Sequence, residues 1–135
     1  MNEQRPRVAV VDDDMSVRKA LERLLRAAGF NATTFASPHE FFYSLEAQRP
    51  DCLVLDLHMP GMNGLGVQRC IEQAGVQVPV IMITGHDEPG TRAQCLAAGA
   101  TDYLRKPFND DELLTAIQRA MASVQRFSNA LRIWD

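Results

Sequence analysis

The 135-residue sequence contains few cysteines and no long apolar run. Cys52, Cys70 and Cys95 are far apart and lie in apolar or helical patterns, so we expect buried free thiols rather than a disulfide, a metal site or a redox switch. No apolar run approaches the ~18 residues that a membrane-spanning helix needs. Too few apolar residues precede Asp12 for a secretory signal. These absences predict a cytoplasmic protein that does not enter the membrane.

The chain also lacks an excess of positive charge. It has 14 basic and 17 acidic residues, which gives a net charge of −3. A net negative charge provides no general attraction to nucleic acid or anionic membranes, so DNA binding by this segment alone is disfavoured. The length and the hydrophobic fraction of 46% are typical of one globular domain with a real core.

Short β-rich runs alternate with helix-length amphipathic segments, which indicates an α/β fold with a parallel sheet covered on both faces. The predicted strands cover residues 7–11, 31–36, 52–55, 78–83 and 101–105. The predicted helices cover residues 16–28, 38–48, 64–74, 88–98 and 110–124. Gly29, Gly75 and Gly99 follow three helices as C-terminal caps, and Ser37-Pro38 begins the second helix.

Four predicted strands end at acidic, hydroxyl or basic side chains. Asp12 and Asp13 follow the first strand, Asp56 the third, Thr84 the fourth and Lys106 the fifth. Ligands bind outside the carboxyl ends of the strands in an open parallel sheet, so these side chains should converge. Three carboxylates, a hydroxyl and an ammonium around one point do little for stability. They are suited to holding a divalent cation and a phosphoryl group.

The carboxylates predict a metal site and a nucleophile. Asp14 or Ser16 can cap the first helix, but capping alone does not require three consecutive aspartates. Adjacent carboxylates raise each other's pKa unless a cation is present, and Mg²⁺ prefers oxygen ligands. Asp56 lies some distance before the next helix and is poorly placed to cap it, whereas aspartate is a competent nucleophile toward phosphorus.

Thr84 and Lys106 gain significance from their joint placement. A threonine at a strand end often forms a turn, and most lysines are solvated. Together, the ammonium suits one phosphoryl oxygen and the hydroxyl can donate to another. Pro107 permits a cis peptide bond that would direct Lys106 inward.

These motifs resemble the receiver domain of bacterial two-component response regulators. The matching segments are VVDDD at 10–14, LVLDLHMPGMNG at 53–64, ITG at 83–85 and KPF at 106–108. Thr84-Gly85-His86 and residues 17–21 resemble the FixJ-like branch, although Asp87 stands where its members often have glycine. The resemblance implies a flavodoxin-like (βα)5 receiver fold over residues 5–123, with five parallel strands in the order 2-1-3-4-5.

The resemblance also implies the chemistry of the site. Asp56 would accept a phosphoryl group from a phosphohistidine on a sensor histidine kinase. Asp12, Asp13, Asp56 and the backbone carbonyl of His58 would hold Mg²⁺. The domain would catalyse only its own phosphorylation and slow dephosphorylation, so it is not expected to be an enzyme in the usual sense.

The resemblance to receiver domains also implies roles for the remaining site residues, which would contact the phosphoryl group, act as the switch or tune the phosphoryl lifetime. Lys106 would contact the phosphoryl group, and Thr84 would bond to it after transfer. Tyr103 matches the switch aromatic, although an amphipathic aromatic that covers a strand edge is the alternative. His58 and His86 match positions that tune phosphoryl lifetime; ordinary surface histidines are the alternative.

Residues 124–135 are expected to extend the last helix or to begin a linker to an output domain. The apolar residues of this tail favour transcription control through a C-terminal DNA-binding domain absent from this chain. The alternative is a stand-alone receiver that acts through protein contacts. The fourth helix, fifth strand and fifth helix would form the face that changes on phosphorylation and supports a possible homodimer.

Two other functional classes fit the sequence less well. A flavodoxin-like cofactor binder needs a turn rich in glycine, serine and threonine after the first strand, whereas three aspartates would repel a phosphate there. A Mg²⁺-dependent phosphatase with an aspartate nucleophile needs a domain that encloses its substrate, and 135 residues leave no room for one.

Overall fold

The computed structural model describes residues 5–133 of the main chain and the side chains of residues 5–124. Five strands form one parallel sheet in the order β2-β1-β3-β4-β5, which confirms the predicted flavodoxin-like topology. In chain order the elements are β1 (Arg7–Val11), α1 (Met15–Ala27), β2 (Asn31–Phe35), α2 (Pro38–Ser44), β3 (Cys52–Asp56), α3 (Gly64–Gln73), β4 (Val80–Thr84), α4 (Thr91–Ala97), β5 (Asp102–Arg105) and α5 (Asp110–Ile133).

Alternating residues of the central strands form two separate hydrophobic cores, because successive strand side chains point to opposite faces of the sheet. One core contains strand residues and the inner faces of α1 and α5: Val8, Val10, Val54, Ile81, Ile83, Leu21, Leu25, Leu113 and Ile117. The other contains strand residues and the inner faces of α2, α3 and α4: Val11, Leu53, Leu55, Met82, Phe41, Val67, Ile71 and Cys95. The central strands are therefore covered on both sides.

Side-chain caps begin four of the helices, including α5, where Asn109 accepts a hydrogen bond from the Glu112 N–H at 2.8 Å. Asp14 accepts a hydrogen bond from the Ser16 N–H at 2.8 Å, and Ser37 accepts one from the Glu40 N–H at 3.3 Å. Asn63 caps α3 in the same way. Each cap satisfies a first-turn N–H that has no partner within the helix. The predicted caps at Asp14 and Ser37 are confirmed.

Apart from the end of α5, three predicted element ends differ from the structure by two residues or more. Helix α2 ends at Ser44 rather than 48, because the chain tightens into i→i−3 bonds from the Leu45 and Glu46 N–H groups. Helix α4 begins at Thr91 rather than 88, since Gly90 has a left-handed φ of +87°. Strand β4 begins after Pro79, which has no N–H to donate to the ladder.

Helix α5 extends past 124 through Ile133, which agrees with the first of the two alternatives expected for residues 124–135, an extension of the last helix. The sequence predicts that the apolar side chains of residues 125–135 need a partner. These side chains lie outside the part of the chain whose side chains the structure describes. No helix in the described part of the chain is both long and apolar enough to cross a bilayer. The three cysteines are free, with Cys52 and Cys95 buried as expected and Cys70 only half-buried.

Candidate functional site

The carboxyl ends of β1, β3, β4 and β5 meet at one edge of the sheet. Asp12 directly follows β1, Asp56 is the last residue of β3, and Thr84 is the last residue of β4. Asp56 pairs with Ile83 in the sheet, and Thr84 pairs with Arg105, the residue before Lys106. The register therefore brings these side chains to one edge, as the strand-end pattern predicted.

Three carboxylates form a compact acidic cluster at this edge. Asp12 is completely buried, Asp56 is 5% exposed, and Asp13 is exposed to solvent. One carboxylate oxygen from each residue lies within 4.8 Å of the other two. Because hard divalent cations prefer oxygen ligands, this cluster could hold a metal ion.

Lys106 supplies positive charge to the same site. Its Nζ atom lies 2.8 Å from Oδ2 of Asp12 and 3.8 Å from Oδ1 of Asp56. The Lys106 backbone N–H donates to the Thr84 carbonyl at 2.7 Å, which ties the residue to the end of β4. The Lys106–Pro107 peptide bond is cis, the form that the sequence analysis considered for this proline.

The environment of Asp56 favours its protonated form. Burial is the main cause, and the neighbouring Asp12 carboxylate adds to it, so that the pKa of Asp56 rises to about 6. Lys106 and the His58 N–H, which donates to Oδ1 of Asp56 at 3.3 Å, act in the opposite direction. Lys106 alone therefore does not balance the negative charge of the cluster.

Asp12 is held in place through both its side chain and its main chain. Its Oδ1 atom accepts a hydrogen bond from the Asp14 N–H at 2.9 Å, and its backbone carbonyl accepts one from Nη1 of Arg18 at 2.8 Å. Sequence reasoning missed this role of Arg18. An arginine near the start of a helix has no pattern that distinguishes it from a solvated residue.

The Thr84 side chain is buried and engages its own loop. The hydroxyl donates to the His86 carbonyl at 3.1 Å, and Oγ1 accepts from the His86 N–H at 3.0 Å. Thr84 therefore lies at the site, as predicted, but its hydroxyl proton is directed toward the following loop.

The two predicted tuning histidines lie close together at the rim of the site. The Nε2 atom of His58 is 3.3 Å from the His86 carbonyl oxygen, and the two ring centroids are 6.0 Å apart. The His86 ring is exposed and lies 2.8 Å from Oε1 of Glu88. Their effect on phosphoryl lifetime, and metal binding by the His58 carbonyl, stay predictions.

Tyr103 points inward and is 4% exposed. Its hydroxyl donates to Oδ1 of Asp87 at 2.6 Å, while Oδ2 of Asp87 lies 3.6 Å from Nη1 of Arg105. Burial, together with the Asp87 carboxylate, raises the pKa of the Tyr103 phenol. Sequence reasoning noticed that Asp87 replaces a glycine but did not find its partner.

Gly64 allows the loop after Asp56 to pack closely against the sheet. Its N–H donates to the Leu57 carbonyl at 2.8 Å. A Cβ atom at this position would lie 2.7 Å from Sδ of Met82 and 3.0 Å from the Asp56 carbonyl oxygen. Only glycine fits this close approach without movement of its neighbours.

A family model described as the response regulator receiver domain matches residues 8–118. The chain belongs to this family, which confirms the resemblance seen in its motifs. The protein is therefore a receiver domain of the two-component type.

Curated relatives extend beyond this domain. The response regulator protein TodT of Pseudomonas putida is 37% identical over 134 residues, which are 98% of this chain and 59% of TodT. The DNA-binding transcriptional regulator NtrC of Salmonella typhimurium is 42% identical over 90% of this chain and 26% of its own length. The chain thus spans less than two thirds of either relative.

Solved receiver structures share the fold. A response regulator receiver protein from Burkholderia phymatum is 50% identical, with a TM-score of 0.78 over 87% of this chain and 96% of that one. The crystal structure of FixJ-N is 35% identical, with a TM-score of 0.81 over 88% of this chain and 95% of that one. Both similarities agree with the predicted fold, and the second agrees with the predicted branch.

Proposed function

We propose that Asp56 is the phosphoacceptor of this receiver domain and that Mg²⁺ is its cofactor. The observation that carries the proposal is the placement of the Asp56 carboxylate at the end of β3, beside two other carboxylates and 3.8 Å from the Lys106 ammonium. This placement lets the Asp56 carboxylate contact a bound cation and a phosphoryl donor at the same time.

The residues at this edge fit Mg²⁺ by the chemistry of their donor atoms. Asp12, Asp13 and Asp56 provide oxygen ligands within 4.8 Å of one another, and the His58 carbonyl is proposed as a further ligand. The surroundings of Asp56 support the same assignment: burial is the main cause of its raised pKa, and the repulsion from Asp12 is larger than the attraction to Lys106. Bound Mg²⁺ would supply charge stabilisation to the phosphoryl oxygens.

The proposed reaction is a transfer of one phosphoryl group from a phosphohistidine on the cognate sensor kinase. A carboxylate oxygen of Asp56 attacks the phosphorus, a new O–P bond forms, and the N–P bond breaks. The electron pair of the broken bond stays on the histidine nitrogen. Lys106 contacts a phosphoryl oxygen and balances part of its negative charge, since the protein contributes position and electrostatics to this type of reaction.

Thr84 and Tyr103 are proposed as the switch. After transfer, the Thr84 hydroxyl donates to a phosphoryl oxygen, which requires it to leave the His86 carbonyl that it now contacts. Tyr103 lies inward next to this loop, on the face formed by α4, β5 and α5. The new covalent charge would thereby alter a two-state surface.

The output of the switch is proposed from the relatives. We infer that the protein controls transcription through a DNA-binding domain, with support from its similarity to the DNA-binding transcriptional regulator NtrC. A stand-alone receiver that acts through protein contacts is the alternative. We also propose that the protein forms a homodimer through α4, β5 and α5 and that it is cytoplasmic. Its catalytic activity is proposed to be limited to its own phosphorylation and dephosphorylation.

Labelling with acetyl phosphate and Mg²⁺ tests the phosphoacceptor. The wild-type protein should gain one phosphoryl group by intact mass, and Asp56→Asn should gain none. Asp111→Asn is the matched control, because it makes the same change at an exposed aspartate of α5. Labelling of Asp56→Asn at the wild-type level would place the acceptor elsewhere.

A further inference from the structure

The loop between β4 and α4 carries a carboxylate, that of Asp87, which is not part of the acidic cluster and contacts Tyr103 and Arg105 instead. Asp87 uses both of its oxygens: Oδ1 accepts from the Tyr103 hydroxyl at 2.6 Å, and Oδ2 faces Nη1 of Arg105 at 3.6 Å. Its side chain is 34% exposed, whereas Tyr103 is buried. The carboxylate thus joins a surface loop to an inward-pointing aromatic ring.

The main chain of this loop is fixed by the Thr84 hydroxyl. The two hydrogen bonds between Thr84 and the backbone of His86 define the position of the residue directly before Asp87. The main chain of β5 is anchored separately, because Nη1 of Arg92 donates to the Tyr103 carbonyl at 3.1 Å. A change in the loop can therefore move Asp87 relative to a stationary Tyr103 backbone.

We propose that Asp87 is a positioning residue that couples the hydrogen bonding of Thr84 to the side chain of Tyr103. The inference rests on the proposed function, in which Thr84 bonds to the phosphoryl group. It goes further by assigning the connection between the two switch residues to a particular side chain.

The physical reason is that a hydroxyl has one proton to donate. When the Thr84 hydroxyl donates to another acceptor, its bond to the His86 carbonyl is lost. The Nε2 atom of His58 lies 3.3 Å from the same carbonyl, and the His86 N–H still has Oγ1 of Thr84 as its acceptor at 3.0 Å. Loss of one of the two bonds to Thr84 lets the loop shift, and the Asp87 carboxylate moves with it.

Tyr103 responds because a buried phenol needs a hydrogen-bond partner. If Asp87 moves, the Tyr103 hydroxyl either follows the carboxylate or loses it, and the ring changes its position or its environment. Without the carboxylate, the ring has no tie to the loop and should no longer respond to events at Thr84.

Tyrosine NMR can test this coupling directly. The protein has two tyrosines, and Tyr43 is 79% exposed, so labelling of the ζ carbon with ¹³C gives one solvent-exposed and one buried signal. The variant Tyr43→Phe assigns them. Beryllofluoride with Mg²⁺ serves as the phosphoryl mimic, and the measured quantity is the shift of the Tyr103 signal when it is added.

The variants separate a coupling role from a structural one. In the wild-type protein beryllofluoride should shift the Tyr103 signal, and in Asp87→Ala this shift should be lost. Asp87→Asn retains an acceptor for the phenol and should restore the response. Glu88→Gln is the matched control on the same loop, because Glu88 contacts His86 rather than Tyr103, and it should respond like the wild type.

Acetyl phosphate labelling distinguishes failure of this inference from failure of the proposed function. If Asp56 is labelled but Asp87→Ala keeps the full shift, or if the wild-type Tyr103 signal does not move, Asp87 does not couple the two residues. If Asp56 is not labelled in the wild type, the proposed function itself fails, and the coupling fails with it.

Discussion

Replacing Asp56 by asparagine should make the metal-free protein more stable at neutral pH, even though the change removes the proposed phosphoacceptor. Asp56 is 5% exposed, and burial followed by the Asp12 charge raises its pKa from 3.8 to about 6. The folded protein therefore holds the proton more tightly than the unfolded chain. As a result, the free energy of unfolding decreases as the pH rises from about 4 to about 6, and it stays lower above that range.

The size of the effect follows from the same shift. One pKa unit corresponds to about 1.4 kcal/mol, so ionised Asp56 destabilises the fold by at most about 3 kcal/mol at neutral pH. Asparagine has a similar shape and no charge. The raised pKa already includes the attraction to the Lys106 Nζ atom at 3.8 Å, which acts in the opposite direction to burial and Asp12. The expected net gain for Asp56→Asn is thus roughly 1–3 kcal/mol.

Urea denaturation in the presence of EDTA measures this gain. The gain should appear at about pH 7.5 and shrink toward zero at about pH 4, where folded Asp56 is protonated. Glu46→Gln is the control, because it removes a carboxylate from an exposed position. Added Mg²⁺ should stabilise the wild type more than the variant, since a ligand stabilises the state that binds it.

Two results would refute this reasoning. Equal unfolding free energies of the wild type and Asp56→Asn at neutral pH would mean that the carboxylate is not strained by its surroundings. A gain of the same size at both pH values would assign the effect to packing rather than to charge.

Four further outcomes are expected. Gly64→Ala should cost about 1–3 kcal/mol in urea denaturation, because its Cβ would lie 2.7 Å from Sδ of Met82; wild-type stability would show that the loop relaxes freely. Lys106→Met should destabilise the metal-free protein by on the order of 3 kcal/mol, since it leaves the buried Asp12 carboxylate unpaired, and a neutral change would contradict that pairing. Asp13→Ala should weaken Mg²⁺ binding in calorimetry at least roughly tenfold, the loss typical when even an indirect partner of a metal site is removed. An unchanged affinity would exclude Asp13 from the metal site. Beryllofluoride should promote dimers in ultracentrifugation, whereas monomers with and without it would exclude the proposed interface.

The strand-end pattern predicted the acidic edge because parallel strands place their carboxyl ends together. Asp12, Asp56, Thr84 and Lys106 each follow or end an apolar run, and the sheet brings them to one place without any further information. The pKa shift of Asp56 was only partly foreseen. Repulsion between carboxylates can be read from adjacent aspartates, whereas burial, the larger cause, depends on how loops cover the strand end.

Element ends were less predictable than element centres. The apolar stripe of α2 continues in the sequence beyond Ser44, but the backbone changes to i→i−3 bonding there. Such ends depend on small differences between competing local hydrogen bonds, which hydrophobic periodicity does not report.

By itself, the sequence determined the layered fold, the order of its elements and the composition of the acidic edge, because these follow from hydrophobic periodicity and from the geometry of parallel strands. Only the tertiary structure decided that the Thr84 hydroxyl bonds to its own loop and that Asp87 holds Tyr103. Those contacts depend on the path of the loop and on side-chain directions. A hydrogen bond requires placement within a few tenths of an ångström, which no pattern of residue types specifies.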